Sequence, residues 1–472
     1  MWLLGLVIMI DQIDQNIVRG VVTPLKDDPH LHMTDFKIGL LLSCFVVVNG
    51  LITVPAGYLA DRWHRTRTIG NTIVGWSGLT ALTAAMPNFG GLLAVRSALG
   101  FGQAITEPSA ASLIGDFYTQ EKRGLAFSVQ QCLFFVGFGV GIGVGGIVGH
   151  LLGWRAAFLL VGTPGVVIAL FAYRLREPAR GEADKLAVGA QIQPTEPVEL
   201  FEGGILQFVR DMWSGLRADA RTILSITTMR YALVGVASLL FTITAVAAAL
   251  PQFYEKQLNV PKGTAEGLVA LLVILGGIPG VLLGGRVADR YMTRVRGARM
   301  AIPAYCLFVG NGLFVLSYLK APFALAFPLE VVGFGITCMA IPALRAGLTD
   351  AVPHNLRGSG FGFFNLSSVI LGQGIASLVV FPIAGAFGDN FRVAFLILSP
   401  PVFIGAWILF KARDHLDADA AKIFEAIITA MQEQQRAEAE REAEREAERE
   451  AEREAEREAE REAQRATAAL ED

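Results

Sequence analysis

The chain has 472 residues, 53% of them hydrophobic and 18% charged, with a net charge of −3 and a mean hydropathy of +0.48. Length alone would suggest about three soluble domains. Apolar runs of about 20 residues recur along most of the chain, however, which marks membrane-spanning helices and excludes a water-soluble globule. Charges cluster in loops and in one tail, so the net value says little about partners, and no nucleic-acid partner is expected. Cys44, Cys132, Cys306 and Cys338 all fall inside apolar runs and form no CxxC pair. They read as small buried hydrophobes, neither a disulfide framework nor a metal site, and no metal or cofactor is expected. The first run carries Asp11, Asp14 and Arg19 and lacks a small-residue cleavage site, so no cleavable signal peptide is expected.

In chain order, twelve spans are predicted at 2–25, 35–60, 68–87, 91–117, 123–150, 154–175, 223–254, 264–289, 299–319, 322–350, 357–387 and 391–411. Residues 1–176 and 222–413 thus form two six-helix bundles. Turns such as Pro87-Asn88-Phe89-Gly90 and Lys320-Ala321-Pro322 are too short to hold a domain. Arg62, Arg65, Arg67, Lys122, Arg123, Arg174, Arg176, Arg290, Arg294, Arg296, Arg357, Lys411 and Arg413 fall on one side. The other side holds few basic residues, chiefly Lys26, Lys37, Lys256 and Lys262. The basic side is expected to be cytoplasmic, with both termini there.

Residues 177–221 differ in composition. They contain Pro178, Pro194 and Pro197, then a stretch Val198–Leu216 that fits an amphipathic helix on the membrane face. Its first half reads equally well as a flexible linker. In the tail, 414–472, an Ala-Glu-Arg-Glu unit repeats between Arg436 and Arg465 with eight Arg against thirteen Glu. Arg441 with Glu444 and Glu442 with Arg445 favour helix. A four-residue period drifts about 40° per repeat, so the alanines make no lasting seam. A solvated, partly frayed single helix with no role in the chemistry is expected.

The halves are duplicated. Gly57-Tyr58-Leu59-Ala60-Asp61-Arg62, followed by Arg65 and Arg67, returns as Gly285-Arg286-Val287-Ala288-Asp289-Arg290, followed by Arg294, Arg296 and Arg299. The offset between aspartates is 289 − 61 = 228. Pro108, Asp116, Arg123 and Gly124 recur as Pro342, Asp350, Arg357 and Gly358, each 234 residues on. Four matches at one offset indicate a repeat in the same orientation.

Charges inside spans are the candidates for function, because each costs about 3 kcal/mol at the membrane centre. Asp11, Asp14, Gln15 and Arg19 share about 140° of one face of the first span. Asp14 lies about 18 Å from the start of that span, near mid-membrane. On the fourth span Arg96, Gln103 and Glu107 fall within about 40° of one another. These stripes suggest a proton-titratable or cation-binding centre; the bland alternative is a set of static ion pairs. Glu330 and Arg345 on the tenth span could face the same cavity, or Arg345 could snorkel to the interface. Asn365, Ser368 and Gln373 are milder polar liners. Gly141-x-Gly143-x-x-Gly146 fits a dinucleotide fingerprint only as a string, and close helix packing explains it better.

The turn Gly57–Arg67 resembles the loop-two-three signature of the major facilitator superfamily, and its echo at Gly285–Arg290 and the twelve-span plan agree with that. Within the superfamily, the chain resembles the Spinster-like lipid transporters. The match rests on Asp14, on Gly57-Tyr58-Leu59-Ala60-Asp61-Arg62, and on Arg96 followed by small residues and a polar group at 103. The resemblance implies export of lysolipids or sphingoid phosphates, with a first-span aspartate and a fourth-span glutamate coupling protons. Asp14 matches the first; the second falls on Gln103, with Glu107 one turn further in. Gln15 stands where the family has an arginine, and Arg19 follows a turn later. The resemblance also implies that Asp61, Arg62 and Arg65 latch the cytoplasmic gate.

The expected protein is therefore a monomeric, proton-coupled alternating-access exporter in the inner cell membrane, carrying an amphipathic cargo whose polar or anionic head lies near Arg96. Asp14 or Glu107 would release Arg96 or Arg19 on protonation. A multidrug or small-metabolite exporter shares every feature. A sensor using the tail as a binding arm is a different class, and an enzyme is disfavoured because no nucleophile–base pair or metal cluster occurs in the spans.

Overall fold

A computed structural model of the protein describes residues 2–190, 204–319, 321–433, 436 and 439–440. Most of the predicted tail helix lies outside these residues. The first half contains α1 (Trp2–Gly20), α2 (Val22–Lys26), α3 (Asp35–Ala60), α4 (Arg65–Ala84), α5 (Phe89–Gln103), α6 (Thr106–Phe117), α7 (Gln120–Leu152) and α8 (Trp154–Tyr173). Between the halves come α9 (Glu182–Ala187) and α10 (Gly204–Ser225). The second half contains α11 (Thr227–Gln257), α12 (Lys262–Leu272), α13 (Ile278–Tyr291), α14 (Ala298–Tyr318) and α15 (Phe323–Ala351). It ends with α16 (Arg357–Ser367), α17 (Ile375–Ala386) and α18 (Phe391–Lys411). No strand occurs among the described residues.

Several predicted spans are single apolar runs in sequence but interrupted helices in space. Pro24 and Pro108 lack the N–H that would bond the carbonyls of Gly20 and Ala104, and the helix breaks at Val21 and at Ala104–Ile105. The α12–α13 and α16–α17 segments each continue through a π-helical turn, Val273–Gly277 and Ser368–Gly374. With these interruptions bridged, each half supplies six long segments. Among the described residues, nine segments are long and apolar enough to cross a membrane. The three that fall short are α1, α4 and α5–α6. All belong to the first bundle, and all three carry the polar residues around Asp14 described below.

Outward faces are apolar. Ile147, Leu151, Leu159, Leu170, Leu378 and Trp407 are exposed, as expected where lipid replaces water around the bundle. Within the first bundle α1 packs along α7, where Gly141 and Gly145 bring that helix onto the carbonyls of Ile13 and Ile17. The glycine string is therefore a packing stripe.

The two bundles meet at their basic end, where α3 crosses α16 and α7 crosses α13. Backbones touch at both crossings. A Cβ on Gly57 would meet the Gly358 carbonyl, and one on Gly285 would meet the Gly124 carbonyl. Ser128 ties the second crossing by donating to the Val281 carbonyl at 2.8 Å and accepting from the Gly285 amide at 3.1 Å.

Over the described residues 177–190 the linker departs from the flexible reading. Arg180, Glu182 and Asp184 are buried at the basic end, because acids of the linker answer arginines of the bundles there. The later helix begins at Gly204 and runs to Ser225, past the predicted Leu216, while 198–203 lie outside the described residues. Leu216 and Met212 pack on Tyr58 of α3, and Leu206, Val209 and Trp213 form an exposed apolar stripe on another face.

Gly285→Ala is expected to pry the α7–α13 crossing open, because carbonyl and hydroxyl atoms occupy the space its methyl group needs. Spin labels on exposed positions of α4 and α14 should show a longer distance at the basic end than in the unsubstituted protein.

Candidate functional site

The basic end carries a charge network built twice over. Asp61, just beyond the end of α3, accepts bonds from the amides of Gly358 and Ser359, both at 2.7 Å, at the N-terminus of α16. In the other half, Asp289 of α13 accepts from the amides of Gly124 (3.1 Å) and Leu125 (2.9 Å) of α7. Carboxylates at helix N-termini satisfy unpaired amides and complement the helix dipole. Arg357 reaches Asp116 of the opposite bundle at 2.7 Å, and Arg123 reaches Asp350 at 2.8 Å. Within each bundle, Arg65 pairs with Asp116 and Arg299 with Asp350. Gly57 and the Asp–Arg pairs thus fall into one network. Arg290 is the exception, exposed at the surface, whereas its counterpart Arg62 bonds Asp219 of α10 at 3.0 Å and stacks over Tyr58.

The linker completes this network in a way its composition did not signal. Asp184 takes Arg123 at 2.7 Å and Arg357 at 2.5 Å, so one acid bridges the two equivalent arginines of the repeat. Glu177 bonds Arg65 at 2.8 Å and the Thr66 amide at 2.8 Å. Arg180 donates to the Ala60 carbonyl at 2.7 Å. These residues sit in a Pro- and charge-containing stretch that reads locally as loop. Only the unbalanced arginines of the motif turns hinted that acids must come from elsewhere.

Asp14 lies wholly inside the first bundle. Its carboxylate accepts from Thr80 of α4 at 2.7 Å and from Gln103 of α5 at 2.7 Å. Arg96 stands 3.6 Å from it, donates to the Asp14 carbonyl at 3.2 Å, and lies between Phe45 and Phe158. The placement of a cargo head near Arg96 is therefore corrected: this guanidinium is held in a seam between helices of one bundle. Arg19 is also corrected. It is exposed over the Phe138 ring, apart from the acids that were expected to release it, and none of the ion pairs of the described residues includes it. Asp11 is buried and bonds Gln15 at 2.7 Å and Gln12 at 3.3 Å.

Glu107 parts company with Arg96 and Gln103. On a continuous helix the three would share a face, but the break at Ala104–Ile105 turns α6 relative to α5. Glu107 thereby points to the other bundle, pairing with Arg345 of α15 at 2.6 Å and accepting from Asn365 of α16 at 3.0 Å. Its side chain is 40% exposed, whereas that of Asp14 is fully buried. Arg345, 6% exposed, is held between Phe127 and Phe361, so it does not snorkel. Glu330 does not share a cavity with Arg345. It is buried in the second bundle and accepts from Tyr254 at 2.5 Å and Ser317 at 2.9 Å, because it lies four turns of α15 away from Arg345.

Known proteins agree with this architecture. The family model described as Major Facilitator Superfamily matches residues 4–372. The chain belongs to the major facilitator superfamily. Among superfamily relatives, the niacin transporter NiaP of Acinetobacter baylyi is 25% identical over 417 residues, covering 84% of this chain and 90% of its own length. The probable L-galactonate transporter of Escherichia coli is 25% identical over 317 residues, 66% of each chain, so this chain spans just under two thirds of it. Protein spinster of Drosophila melanogaster is 26% identical over 177 residues, 37% of this chain and 29% of that one. A bacterial homologue of the human lysosomal transporter Spinster, solved inward-facing and unoccupied, shares the fold with a TM-score of 0.51 and 20% identity. That match covers 90% of this chain and 96% of the other.

Two outcomes follow at the basic end. Asp184→Ala leaves two buried arginines short of an anion, which is expected to destabilise the closed end by about 3–5 kcal/mol. Labelling of cysteines placed at this seam should rise accordingly. Asp61 gives a pH dependence. Burial pushes its carboxyl up to about 6, with Arg180 and the amides of Ser359 and Gly358 pulling the other way. An Asp61 released into water would titrate near about 4. Its contribution to closure is therefore full below about pH 4 and is lost as pH rises through about 6. Burial also raises Asp184, but Arg357 and Arg123 outweigh it and hold the carboxyl below the usual range, so it stays ionised in that window. Seam accessibility should rise between pH 5 and 7.5, and Asp61→Asn should flatten that response.

Proposed function

We propose that this superfamily member is a proton-coupled secondary transporter in which the two bundles rock about a site at mid-membrane depth, with Glu107 as the coupling acid. The observation that carries the reading is the Glu107–Arg345 pair. It crosses between bundles inside the spans, so its geometry must change whenever the bundles move apart. The Asp14–Arg96 pair lies within one bundle and keeps its partners through such a motion. The basic end is the cytoplasmic side of the inner membrane, with both termini there and one chain sufficient for the cycle. With its cross-bundle seam made at that end, the described state has its inner gate shut.

The cargo carries an anionic group. The likeness to Spinster proteins favours an amphipathic lipid of lysolipid or sphingoid type. A small organic acid is the second reading, favoured by the niacin transporter's match over 84% of this chain.

Proteoliposome assays with nicotinate, a hexonate and a lysophospholipid distinguish these cargoes. Glu107→Gln is expected to keep cargo exchange but to lose pH-driven accumulation by at least about ten-fold, since an intramembrane acid is what a proton gradient acts on. Accumulation that survives this change would remove Glu107 from coupling. Asp14→Asn is expected to lower thermal stability first, because it leaves Arg96 buried without an anion.

A further inference from the structure

Arg345 differs from the four fully buried arginines of the basic end in which donors it leaves over. Arg65 and Arg357 spend Nε and both terminal nitrogens on acceptors. Arg123 and Arg299 use both terminal nitrogens and leave only Nε. Arg345 gives Nη1 to Glu107 at 2.6 Å, while its Nε and Nη2 have no partner among the described residues.

Those two nitrogens form one edge of the guanidinium. Their N–H bonds run parallel, the arrangement that matches two oxygens of a carboxylate or phosphate. The ring centroids of Phe127 and Phe361 lie 5.4 and 5.3 Å from the guanidinium carbon, so the edge lies in apolar surroundings where an ion pair is strong. Leaving two buried donors unmade is costly, and a state of the cycle in which both are made repays it.

Resting on the transport reading above, we propose that the Nε/Nη2 edge of Arg345 is the receptor for an oxyanion of the cargo, and that each anion bound brings one proton onto Glu107. Charge balance requires the second part. The resting pair is one cation and one carboxylate; an arriving anion makes two negative groups on one guanidinium. The acid of α1, Asp11, is buried and accepts bonds from Gln12 and Gln15. From α16 the neighbour is Asn365, which is neutral and donates to Glu107. A proton from solution adds to the Glu107 carboxylate, and the carboxyl so formed loosens its hold on Nη1. Anion and proton then move together, one for one.

Carboxylate and phosphate share this chemistry, and the test separates their sources. Purified full-length protein is titrated by calorimetry at pH 7 with nicotinate, gluconate or lysophosphatidate, each in buffers of different ionisation enthalpy, which yields protons taken up per anion. Binding of nicotinate or gluconate assigns a small organic acid; binding of lysophosphatidate alone assigns a lipid headgroup. The expected count is one proton per anion. Arg345→Lys, which keeps the charge and loses the fork, should weaken binding at least ten-fold. Glu107→Gln should bind the anion with no proton uptake.

Binding of none of the three, binding that Arg345→Lys leaves unchanged, or a proton count that Glu107→Gln leaves unchanged would overturn the proposal. Where Arg345→Lys fails to fold, the proton count in Glu107→Gln decides alone. Alternation of the bundles is read separately, from pH-dependent labelling of the basic-end seam. A protein that alternates but binds no anion sinks this assignment only; one that never alternates sinks the transport reading.

Discussion

Guanidinium groups buried between two apolar bundles are tolerable only when carboxylates meet them, and that condition governs this structure. Arg65, Arg123, Arg299 and Arg357 are shut away from solvent at the basic end, each against an acid. Two of the four pairs lie within a bundle and survive any separation. The other two cross the seam and are exchanged for water when it opens. The closed state therefore gains crossing ion pairs but loses the hydration of the same groups, and the two nearly cancel. Near-cancellation is what a carrier needs, because a cycle cannot turn over if either end state is too deep.

The same distinction sorts the charges in mid-membrane. Asp14, Thr80, Gln103 and Arg96 belong to one bundle and form a satisfied polar knot whose geometry is indifferent to rocking. Glu107, Arg345 and Asn365 belong to both bundles and register every change in their separation. A proline produces this sorting. Without the break that Pro108 imposes, Glu107 would face the same seam as Gln103, inside the first bundle. The interrupted helix thus converts one polar stripe into two sites with different sensitivities.

How much of this was legible in the sequence depended on whether the signal was local. The duplication and the two bundles were readable because the polar turns repeat at nearly constant offset, and because helices in lipid must be apolar over a fixed length. The polar stripes on the first and fourth spans were readable from 100° periodicity. Periodicity fixes a face but not the neighbour, so the partners of Arg96, Arg19 and Glu330 were out of reach. The split between Gln103 and Glu107 needed the helix break, and Pro108 was noted only as part of the repeat. Asp184 was invisible for a different reason: a lone acid in a loop has no pattern, and its meaning arises from two arginines 61 residues before it and 173 after it.

That acid breaks the symmetry of the duplicated gate. The Asp61 and Asp289 caps and the Arg357–Asp116 and Arg123–Asp350 pairs come in two copies, one per half, whereas the segment holding Asp184 occurs once and belongs to neither. It acts as a wedge seated between equal walls, touching both of the equivalent arginines at the same time. Opening must therefore expel the wedge as well as part the walls, and a chain of duplicated halves gains from its connector an order of events that two identical halves alone could not impose.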